Sequence, residues 1–516
     1  MLDSLRQFFR LLHIARTLAR HDALFPLEQI SDAAPVLKAL RWLSMFSRRT
    51  MRDKSEGERL RLALQSLGPS FIKLGQSLAT RPDLLGGDVA EALTALQDRL
   101  PPFPSDEARA TIEEELEQPI DALFQTFEDE PVAAASIAQV HKAVTSDGIP
   151  VAVKVLRPGI EAAFRRDVET FRWLARLLER RVPDARRLRP IDVVETLADS
   201  VEIEMDLRYE ASAASELAEN MAEEPNYRIP RVDWPRTAKR VLATEWIDGT
   251  PVNDRQALID AGHDLDRLAR VLVRVFLLQV MRDGFFHADL HQGNLIVAPD
   301  GTLVAVDFGI MGRLDKASRR YLAEILRGFH LGDYRRIAEV HFEAGYVPRT
   351  KSISQFAQAL RAIGEPINGR PVSEISFGRL LSQLFKTTET FDMHTQPQLL
   401  MLQRTMVMAE GLALHLDASI NMWEVSPPVV TRWIESNMGP DAYLREGLES
   451  LQTLARYLPL AAEQLKTRVE AFTDEGVRLH PDSARLIAHE KADKQRLQTA
   501  ALWVIAGLLA ALLFSL

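Results

Sequence analysis

The stretch that decides the fold is His287-Ala288-Asp289-Leu290-His291-Gln292-Gly293-Asn294, and Val306-Asp307-Phe308-Gly309 follows it. Asp289 and Asn294 are five residues apart, and Asp307 comes thirteen residues after Asn294. Two apolar runs flank the turn signal Pro299-Asp300-Gly301, which predicts a short β-hairpin. Such a hairpin would hold an acid that can serve as a base close to two oxygen-bearing metal ligands.

The alternative is a polar loop beside an ordinary hairpin, and an upstream lysine decides between the two. Lys154 lies inside the apolar strand 151–155, after a turn at Ser146-Asp147-Gly148 and an earlier strand. A lysine is costly to bury there without a carboxylate or phosphate partner. Protein kinases carry a lysine, a base and two magnesium ligands in this order. The sequence therefore predicts a kinase-like fold.

Composition narrows the class of protein. The chain has 516 residues, 46% of them hydrophobic and 26% charged, with a net charge of −9 and no cysteine. This length exceeds one compact core, so we expect two or more domains. The mild acidity argues against nucleic acid as the main partner. The absence of cysteine excludes disulfides, thiolate metal sites and cysteine nucleophiles.

Two weaker patterns involve charges at helical spacing. Lys73 and Gln76 lie three residues apart in a helical pattern, and Gly75 between them permits another chain segment to approach closely. Glu202, Asp206 and Glu210 follow one another at intervals of four, which predicts one acidic helix face that needs neutralising cations. An ordinary solvated face is the alternative for both patterns.

Three apolar segments raise the question of a membrane. Residues 497–516 form a 20-residue run without a charge, preceded by Lys491, Lys494 and Arg496. This run predicts a transmembrane helix with the globular part in the cytoplasm, the alternative being a buried C-terminal helix. Residues 1–20 predict an amphipathic helix, and 399–415 a Met-rich helix. For both, packing on the protein's own core is favoured over lipid contact.

Several further motifs resemble those of the UbiB family of atypical kinase-like proteins, over residues 30 to 420. Lys73-Leu74-Gly75-Gln76 resembles its Lys-x-Gly-Gln helix, and Glu204-Met205-Asp206 resembles its Glu-x-Asp motif. Ala133-Ala134-Ala135-Ser136 resembles the alanine-rich nucleotide loop that replaces the glycine-rich loop of other kinases. The resemblance implies ATP and Mg²⁺ as cofactors and a link to ubiquinone biosynthesis.

The resemblance also implies roles for individual residues. Lys154 would bind the ATP phosphates and pair with Glu210, while Asn294 and Asp307 would hold magnesium. Asp289 would take the place of the catalytic base. Ala133, Ala134, Ala135 and Ser136 would contact the nucleotide. Lys73, Gln76, Glu204 and Asp206 would occlude and regulate the cleft, with Lys73 near Glu204.

The chain departs from ordinary kinases and from the family at named positions. Ala288 replaces the arginine that kinases carry before the catalytic aspartate, and no Ala-Pro-Glu follows Asp307. Protein kinase activity is therefore doubtful, and the Lys73 helix would block a protein substrate. Ala213 stands where the family commonly has asparagine, and one C-terminal span is found where bacterial relatives often have two.

The sequence predicts an α+β, bilobal protein-kinase-like fold that is mostly helical. The predicted parts are an N-terminal helical extension, an N-lobe, a C-lobe, a helical C-terminal extension and a transmembrane anchor: 1–125, 126–250, 251–420, 421–496 and 497–516. The predicted function is an inner-membrane Mg-ATP-dependent ATPase supporting ubiquinone biosynthesis. Lipid or quinone precursors and other enzymes of that pathway are candidate partners.

Two alternative functions stay open. One is a non-catalytic nucleotide-gated scaffold, which the alanine loop and the occluded cleft favour. The other is a small-molecule phosphotransferase, because the segment from His287 to Asn294 also resembles choline and aminoglycoside kinases. The chain carries no flavin fingerprint and no iron-site pattern, so direct ring hydroxylation is not expected.

Overall fold

The structure is a computed structural model, and it describes residues 2–23, 54–79, 87–94, 96, 101–181, 190–365, 391–393, 396–425 and 427–438. Internal contacts divide the chain into two units, Met1–Ile434 and Glu435–Leu516. Of the second unit only residues 435–438, the end of a helix, are described. The candidate site lies in the first unit.

Helices and strands are numbered here in chain order. The helices are α1 Leu2–Arg20, α2 Glu56–Leu67, α3 Pro69–Ala79, α4 Gly87–Thr94, α5 Ser105–Leu116, α6 Ile120–Leu123, α7 Ile160–Arg181, α8 Pro190–Glu204, α9 Leu207–Asn220, α10 Arg255–Asp260, α11 Leu265–Leu278, α12 Lys316–Leu331, α13 Tyr334–Glu343, α14 Ile353–Gly364, α15 Pro397–Leu416, α16 Met422–Val425 and α17 Pro427–Met438. The strands are β1 Phe124–Phe127, β2 Ala133–Ala134, β3 Ala138–Thr145, β4 Pro150–Leu156, β5 Tyr227–Arg228, β6 Val241–Glu245, β7 Thr250–Pro251, β8 Phe285–His287, β9 Leu295–Val297, β10 Leu303–Ala305 and β11 Met311–Arg313.

The N-lobe is built on an antiparallel sheet in the order β1-β3-β4-β6, with the short β2 pairing with β3. Because side chains alternate along a strand, Val151, Val153 and Val155 of β4 share one face, and they pack against α5 in one apolar core. Lys154 is therefore turned to the opposite face. This alternation directs a lysine of an otherwise apolar strand away from the core.

The C-lobe presents the decisive stretch between a four-stranded sheet, in the order β5-β10-β9-β7, and the two-stranded β8–β11 sheet. The predicted hairpin is confirmed, since β9 and β10 pair antiparallel with Leu303 opposite Val297. Strand β8, which delivers the stretch, pairs with β11. Helix α11 leads to β8 through a π-helical turn at Gln279–Asp283, and α15 packs along α11. The Met-rich segment of α15 thus contributes to a helical core, with Leu402, Met406 and Leu412 buried.

The N-terminal helices pack together around a second apolar core. Helices α2, α3 and α4 share it with α7 and α8. A Cβ at Gly75 in α3 would clash with Leu96 Cδ1 and would lie 2.7 Å from Leu64 Cδ1, so glycine permits this close packing. Helix α1 also packs here through Ile14 and Leu18, which confirms core packing for the N-terminal amphipathic helix.

The prediction of a membrane-spanning C-terminal anchor needs correction. Its residues, 497–516, lie outside the described part of the chain, and none of the described helices is long and apolar enough to cross a membrane. A run of about 20 apolar residues is long enough to span a bilayer, but length alone does not separate a span from a helix buried against protein. The assignment to the inner membrane through a single C-terminal anchor was therefore wrong.

Candidate nucleotide and metal site

Lys154 and Glu210 form the central ion pair of the candidate site. Lys154 Nζ lies 2.8 Å and 2.9 Å from the two carboxylate oxygens of Glu210 on α9. Burial acts to lower the pKa of Lys154, but the charges of Asp307 and Glu210 outweigh it and raise that pKa. Burial raises the pKa of Glu210, and Lys154 opposes the shift. The lysine of this pair is therefore firmly protonated, and its positive charge stabilises the ionised form of the Glu210 carboxylate.

Asp307 completes a three-residue cluster with Lys154 and Glu210. Its Oδ2 lies 3.6 Å from Lys154 Nζ, and its Oδ1 accepts a hydrogen bond of 3.0 Å from the Gly309 N–H. Burial acts to raise the pKa of Asp307, yet the charge of Lys154 and the Gly309 N–H prevail and lower it to about 2. The following Phe308 is buried. Asp307 is thus an anion at any physiological pH, with 46% of its side chain accessible.

Asn294 is oriented as a ligand by its own loop. Its Nδ2 donates a hydrogen bond of 3.0 Å to the Asp289 carbonyl. Because a carbonyl can only accept, the amide nitrogen must face it, and Oδ1 is left for another group. The Asn294 carbonyl in turn accepts a 3.0 Å hydrogen bond from the Val306 N–H, directly before Asp307. One backbone bond therefore links the two predicted metal ligands.

Asp289 lies in the same loop with an accessible carboxylate. Its Oδ2 lies 3.8 Å from His291 Nε2, and its main-chain N–H donates to His287 Nδ1 at 3.2 Å. His287 is fully buried and lies against Phe308, with ring centroids 5.8 Å apart. Burial lowers the pKa of His287, so the ring is neutral. This neutral histidine supports the main chain of the predicted base.

Two buried polar residues that sequence reasoning missed hold this loop from below. Gln279 Oε1 accepts the His287 N–H at 3.0 Å, and Thr405 Oγ1 donates to the Ala288 carbonyl at 3.0 Å. Both residues are 1% exposed or less, in helical segments rich in apolar residues. A glutamine or threonine inside such a segment is the signal that could have found them, because a buried polar group needs a partner.

The predicted nucleotide loop forms a tight turn of the β2–β3 hairpin. Ala133 and Ala134 pair with Val140 and Gln139, and the Ala135 N–H donates to the Ala138 carbonyl at 2.8 Å. Ser136 is 1% exposed, and its Oγ has no hydrogen-bond partner. The loop lies in the sheet that also carries Lys154. The role of these residues in binding nucleotide stays a prediction.

The N-terminal helices do reach the predicted acidic motif. Lys73 Nζ forms an ion pair with Glu204 Oε2 at 2.8 Å, and both side chains are largely buried. Gln76 is on the same helix. The expected proximity of Lys73 to Glu204 is thus present. What Lys73, Gln76, Glu204 and Asp206 do for regulation stays a prediction.

The expectation of one continuous acidic face was wrong. Helix α8 ends at Glu204 and α9 begins at Leu207. Asp206 lies at the break and caps α9 through the Arg208 N–H, and its hydrogen bonds with the Arg208 side chain lower its pKa. Glu202 is exposed, and Glu210 faces Lys154. Asp206 begins a second helix as its N-cap, so the three acids lie in three different surroundings.

The donors present fit Mg²⁺ and nucleotide phosphate. An ionised carboxylate on Asp307 and a free amide oxygen on Asn294 are hard oxygen ligands of the kind that magnesium takes together with substrate phosphates. Lys154 supplies a positive charge beside them. The described residues hold no group of three or more His, Asp or Glu that could bind a metal by itself. A shared site with phosphate oxygens agrees with this, since magnesium needs few protein ligands there.

Comparison with known proteins identifies the relatives of this arrangement. Residues 95–341 match the ABC1 atypical kinase-like domain, and residues 360–421 match the UbiB helical domain. A protein of Marinobacter nauticus named "Probable protein kinase UbiB" is 41% identical over 461 residues, 88% of this chain and 82% of its own. The chain belongs to the UbiB family.

Other family members agree in length and similarity. Proteins of the same name from Azotobacter vinelandii and Pseudomonas paraeruginosa are 42% and 40% identical, covering 83% and 89% of this chain and 79% and 87% of their own. The family membership confirms the resemblance carried by the Lys-x-Gly-Gln helix, the alanine loop and the Glu-x-Asp motif.

A solved structure agrees with the fold. Rv3197 of Mycobacterium tuberculosis, determined in complex with erythromycin, aligns with a TM-score of 0.52 at 27% identity, covering 69% of this chain and 90% of its own. The kinase-like, mostly helical α+β fold predicted from the sequence is therefore confirmed. The type of reaction and the roles of individual residues are not established by the comparisons.

Proposed function

We propose that this protein is an atypical kinase-like ATPase that uses Mg-ATP in support of ubiquinone biosynthesis. The observation that carries the proposal is the cluster of Lys154, Glu210 and Asp307, held within 3.6 Å in the order and charge state that phosphoryl transfer uses. The link to ubiquinone biosynthesis rests on membership of the UbiB family.

The residues of the site divide the work by their chemistry. Lys154 would bind the α- and β-phosphates while Glu210 keeps its ammonium in place. Asn294 and Asp307 would hold magnesium, which neutralises charge on the transferred phosphoryl group when bound. Asp289 would orient the attacking hydroxyl or water. Ala133, Ala134, Ala135 and Ser136 would face the phosphates through their main chain.

A protein substrate is not part of the proposal. The Lys73–Glu204 pair fixes α3 and α8 to each other, and the family resemblance assigns this pair to the mouth of the cleft. A small hydroxylated substrate or water as phosphoryl acceptor fits the loop around Asp289 better than a peptide does. The division of the chain into domains at 1–125, 126–250, 251–420 and 421–496 is also a proposal, and it rests on the family resemblance.

The first test compares ATP turnover of the wild-type protein with that of Asp307→Asn, with and without phenolic quinone precursors. Removing a metal-ligating carboxylate should lower turnover by at least about 100-fold, since even the partners of metal ligands cost 10–100-fold. Asp300→Asn is the matched control, because Asp300 lies on the same hairpin, in its turn, and accepts a hydrogen bond from the Thr302 N–H. Its turnover should equal that of the wild type.

The products separate this function from its alternatives. Free phosphate and ADP support an ATPase, whereas a phosphorylated small molecule supports a phosphotransferase. Equal turnover of wild type and Asp307→Asn under every condition would contradict both enzymatic functions. Restoration of ubiquinone by Asp289→Asn in deficient cells, with nucleotide bound but not consumed, would identify a nucleotide-gated scaffold instead.

A further inference from the structure

The main chain of residues 101–104, named here the connector, is held by the side chains of Arg157 and Gln139. The connector leads from the N-terminal helices into α5. Its Pro101 carbonyl accepts a hydrogen bond of 2.7 Å from Arg157 Nη2. The Phe103 N–H donates to Gln139 Oε1 at 3.0 Å, and the Phe103 carbonyl accepts from Gln139 Nε2 at 3.3 Å. These hydrogen bonds therefore fix the position of the connector main chain.

The same arginine also holds the nucleotide loop. Arg157 Nη2 and Nε lie 3.1 Å and 3.3 Å from the Ala135 carbonyl, and the Arg157 main-chain N–H donates to the Ile137 carbonyl at 2.8 Å. Ala135 and Ile137 are the two ends of the turn that contains Ser136. One residue thus binds both ends of the loop and the connector at the same time.

Two further contacts make this junction specific. The guanidinium of Arg157 lies over the Phe103 ring, with Cζ 5.4 Å from the ring centroid. Ile137, from the loop, packs against the apolar core that the N-terminal helices share with α7 and α8. The loop is therefore fixed to the N-terminal helices directly through Ile137 and through the connector by Arg157.

We propose that Arg157 is a positioning residue that sets the nucleotide loop in its binding conformation and couples it to the N-terminal extension. Alanines in the loop have less backbone freedom than glycines, so the direction of their N–H groups depends on what holds the loop from outside. Successive N–H groups bind phosphate only when they point into one concavity. Displacing the connector then changes the affinity for nucleotide. This proposal depends on the proposed function in one respect only, namely that the site binds nucleotide.

The primary test is Arg157→Gln, which keeps a polar side chain but cannot make the three guanidinium contacts. Its Kd for a fluorescent Mg-ATP analogue should rise about tenfold, which corresponds to about 1.4 kcal/mol. Without nucleotide, amide hydrogen exchange should increase in residues 133–138 and at Phe103 together, Phe103 being the one connector residue with an N–H because the other three are prolines. Arg157→Lys, which retains one cationic donor, should recover part of both effects.

Arg240→Gln is the matched control. Arg240 lies beside the end of β4, the strand that Arg157 follows, because its carbonyl accepts a hydrogen bond from the Leu156 N–H. Its side chain pairs with Glu114 and Glu115 of α5 and not with the loop or the connector. Its nucleotide affinity should stay within about twofold of wild type even if its thermal unfolding midpoint falls. A merely structural role for Arg157 would make the two variants behave alike, and that result would overturn the proposal.

A second variant approaches the junction from the connector. Phe103→Leu removes the ring beneath the guanidinium and leaves every main-chain hydrogen bond possible. Exchange at 133–138 should rise about two- to threefold, although Phe103 lies 30 residues before that loop. Unchanged loop exchange in Arg157→Gln would overturn the proposal even if affinity falls. A wild-type protein that binds no nucleotide would contradict the proposed function, and amide exchange would still decide the coupling.

Discussion

The loop from Asp289 to Asn294 and the alanine loop, both of which we propose to hold phosphate, are positioned in opposite ways. Asp289, Asn294 and Asp307 keep the kinase pattern, and their geometry is set mainly by hydrogen bonds within a few residues of themselves, with Thr405 as a distant support of the loop. The alanine loop departs from the pattern, and its position is set by Arg157 and Gln139, which also hold the distant connector. One half of the site is local, and the other depends on a separate part of the chain.

This difference between the two loops indicates which part of the site can be altered without changing the ligands of the metal. A metal ligand set tolerates little alteration, since ligand identity and charge decide what binds. A loop held by outside contacts can be moved by whatever moves its holder. The N-terminal extension is therefore expected to influence nucleotide affinity more than the chemistry at Asp307. The predictions below test this division, beginning with the largest expected effect.

Lys154→Met should destabilise the protein and abolish nucleotide binding. It leaves Glu210, a buried carboxylate, without its partner, and breaking a buried ion pair in this way costs about 3 kcal/mol. The free energy of unfolding, from urea denaturation, measures the loss. Because the pKa of Glu210 is already raised by burial, a proton can replace the lysine in part, so stability of the variant should rise as the pH falls from 8 to 5.

The double variant Lys154→Met/Glu210→Gln separates the two effects. It removes the unpaired charge, so most of the lost stability should return and the pH dependence should disappear. Nucleotide binding should stay lost, because the charge that meets the phosphates is absent. Nucleotide binding equal to wild type in the double variant would place the phosphate-binding cation elsewhere in the site.

The local half of the site was the part that sequence alone could predict. Spacing within one hairpin fixes where Asp289, Asn294 and Asp307 lie, because β9 and β10 leave little choice of register. The strand alternation that turns Lys154 toward Glu210 was also visible in the sequence. The bilobal fold followed from the same motifs, and family membership supports it.

The parts that sequence could not predict depend on distant contacts. Nothing near Arg157 in the chain indicates Pro101 as its partner, and Thr405 lies 117 residues from the Ala288 carbonyl it binds. The acidic pattern at 202–210 misled for another reason, since helical spacing alone does not show that Asp206 caps a new helix. The apolar run at 497–516 misled because length does not distinguish a span from a buried helix.

Thr405→Val tests the local half of the site with an intermediate effect. Valine keeps the shape of threonine but removes the single hydroxyl proton, which Thr405 shares between the Ala288 and Met401 carbonyls. A buried carbonyl left without its donor costs about 1.5 kcal/mol. Turnover should fall more than nucleotide affinity, because Ala288 adjoins Asp289 and not the nucleotide loop. An equal loss of nucleotide affinity would show that the two halves are not independent.

The smallest expected effect concerns His141, which supports the distant half of the site. Its Nδ1 is 2.8 Å from the Glu128 carbonyl, and its Nε2 is 2.8 Å from Gln139 Nε2, so the neutral ring donates to Glu128 and accepts from Gln139. Burial lowers the pKa of His141, and the charge of Arg109 lowers it further. The hydrogen bond to the Glu128 carbonyl and the charge of Asp129 act to raise this pKa but do not outweigh burial. Because the folded-state pKa lies below the unfolded value of about 6.5, stability is present above that pH and is lost as the pH falls.

Protonation would place an N–H on Nε2 against the Gln139 amide and pull Gln139 from Phe103. Lowering the pH from 7 to 5 should therefore reduce the free energy of unfolding by about 1 kcal/mol, one hydrogen bond's worth. After division by the intrinsic rate at each pH, amide exchange at Phe103, the one connector residue with an N–H, should rise while exchange at 295–305 stays constant. His141→Phe, which cannot take up a proton, should lose the connector's pH dependence. An equal rise in exchange at the hairpin and at the connector would instead indicate general acid unfolding. The two loops would then not differ in their response to pH.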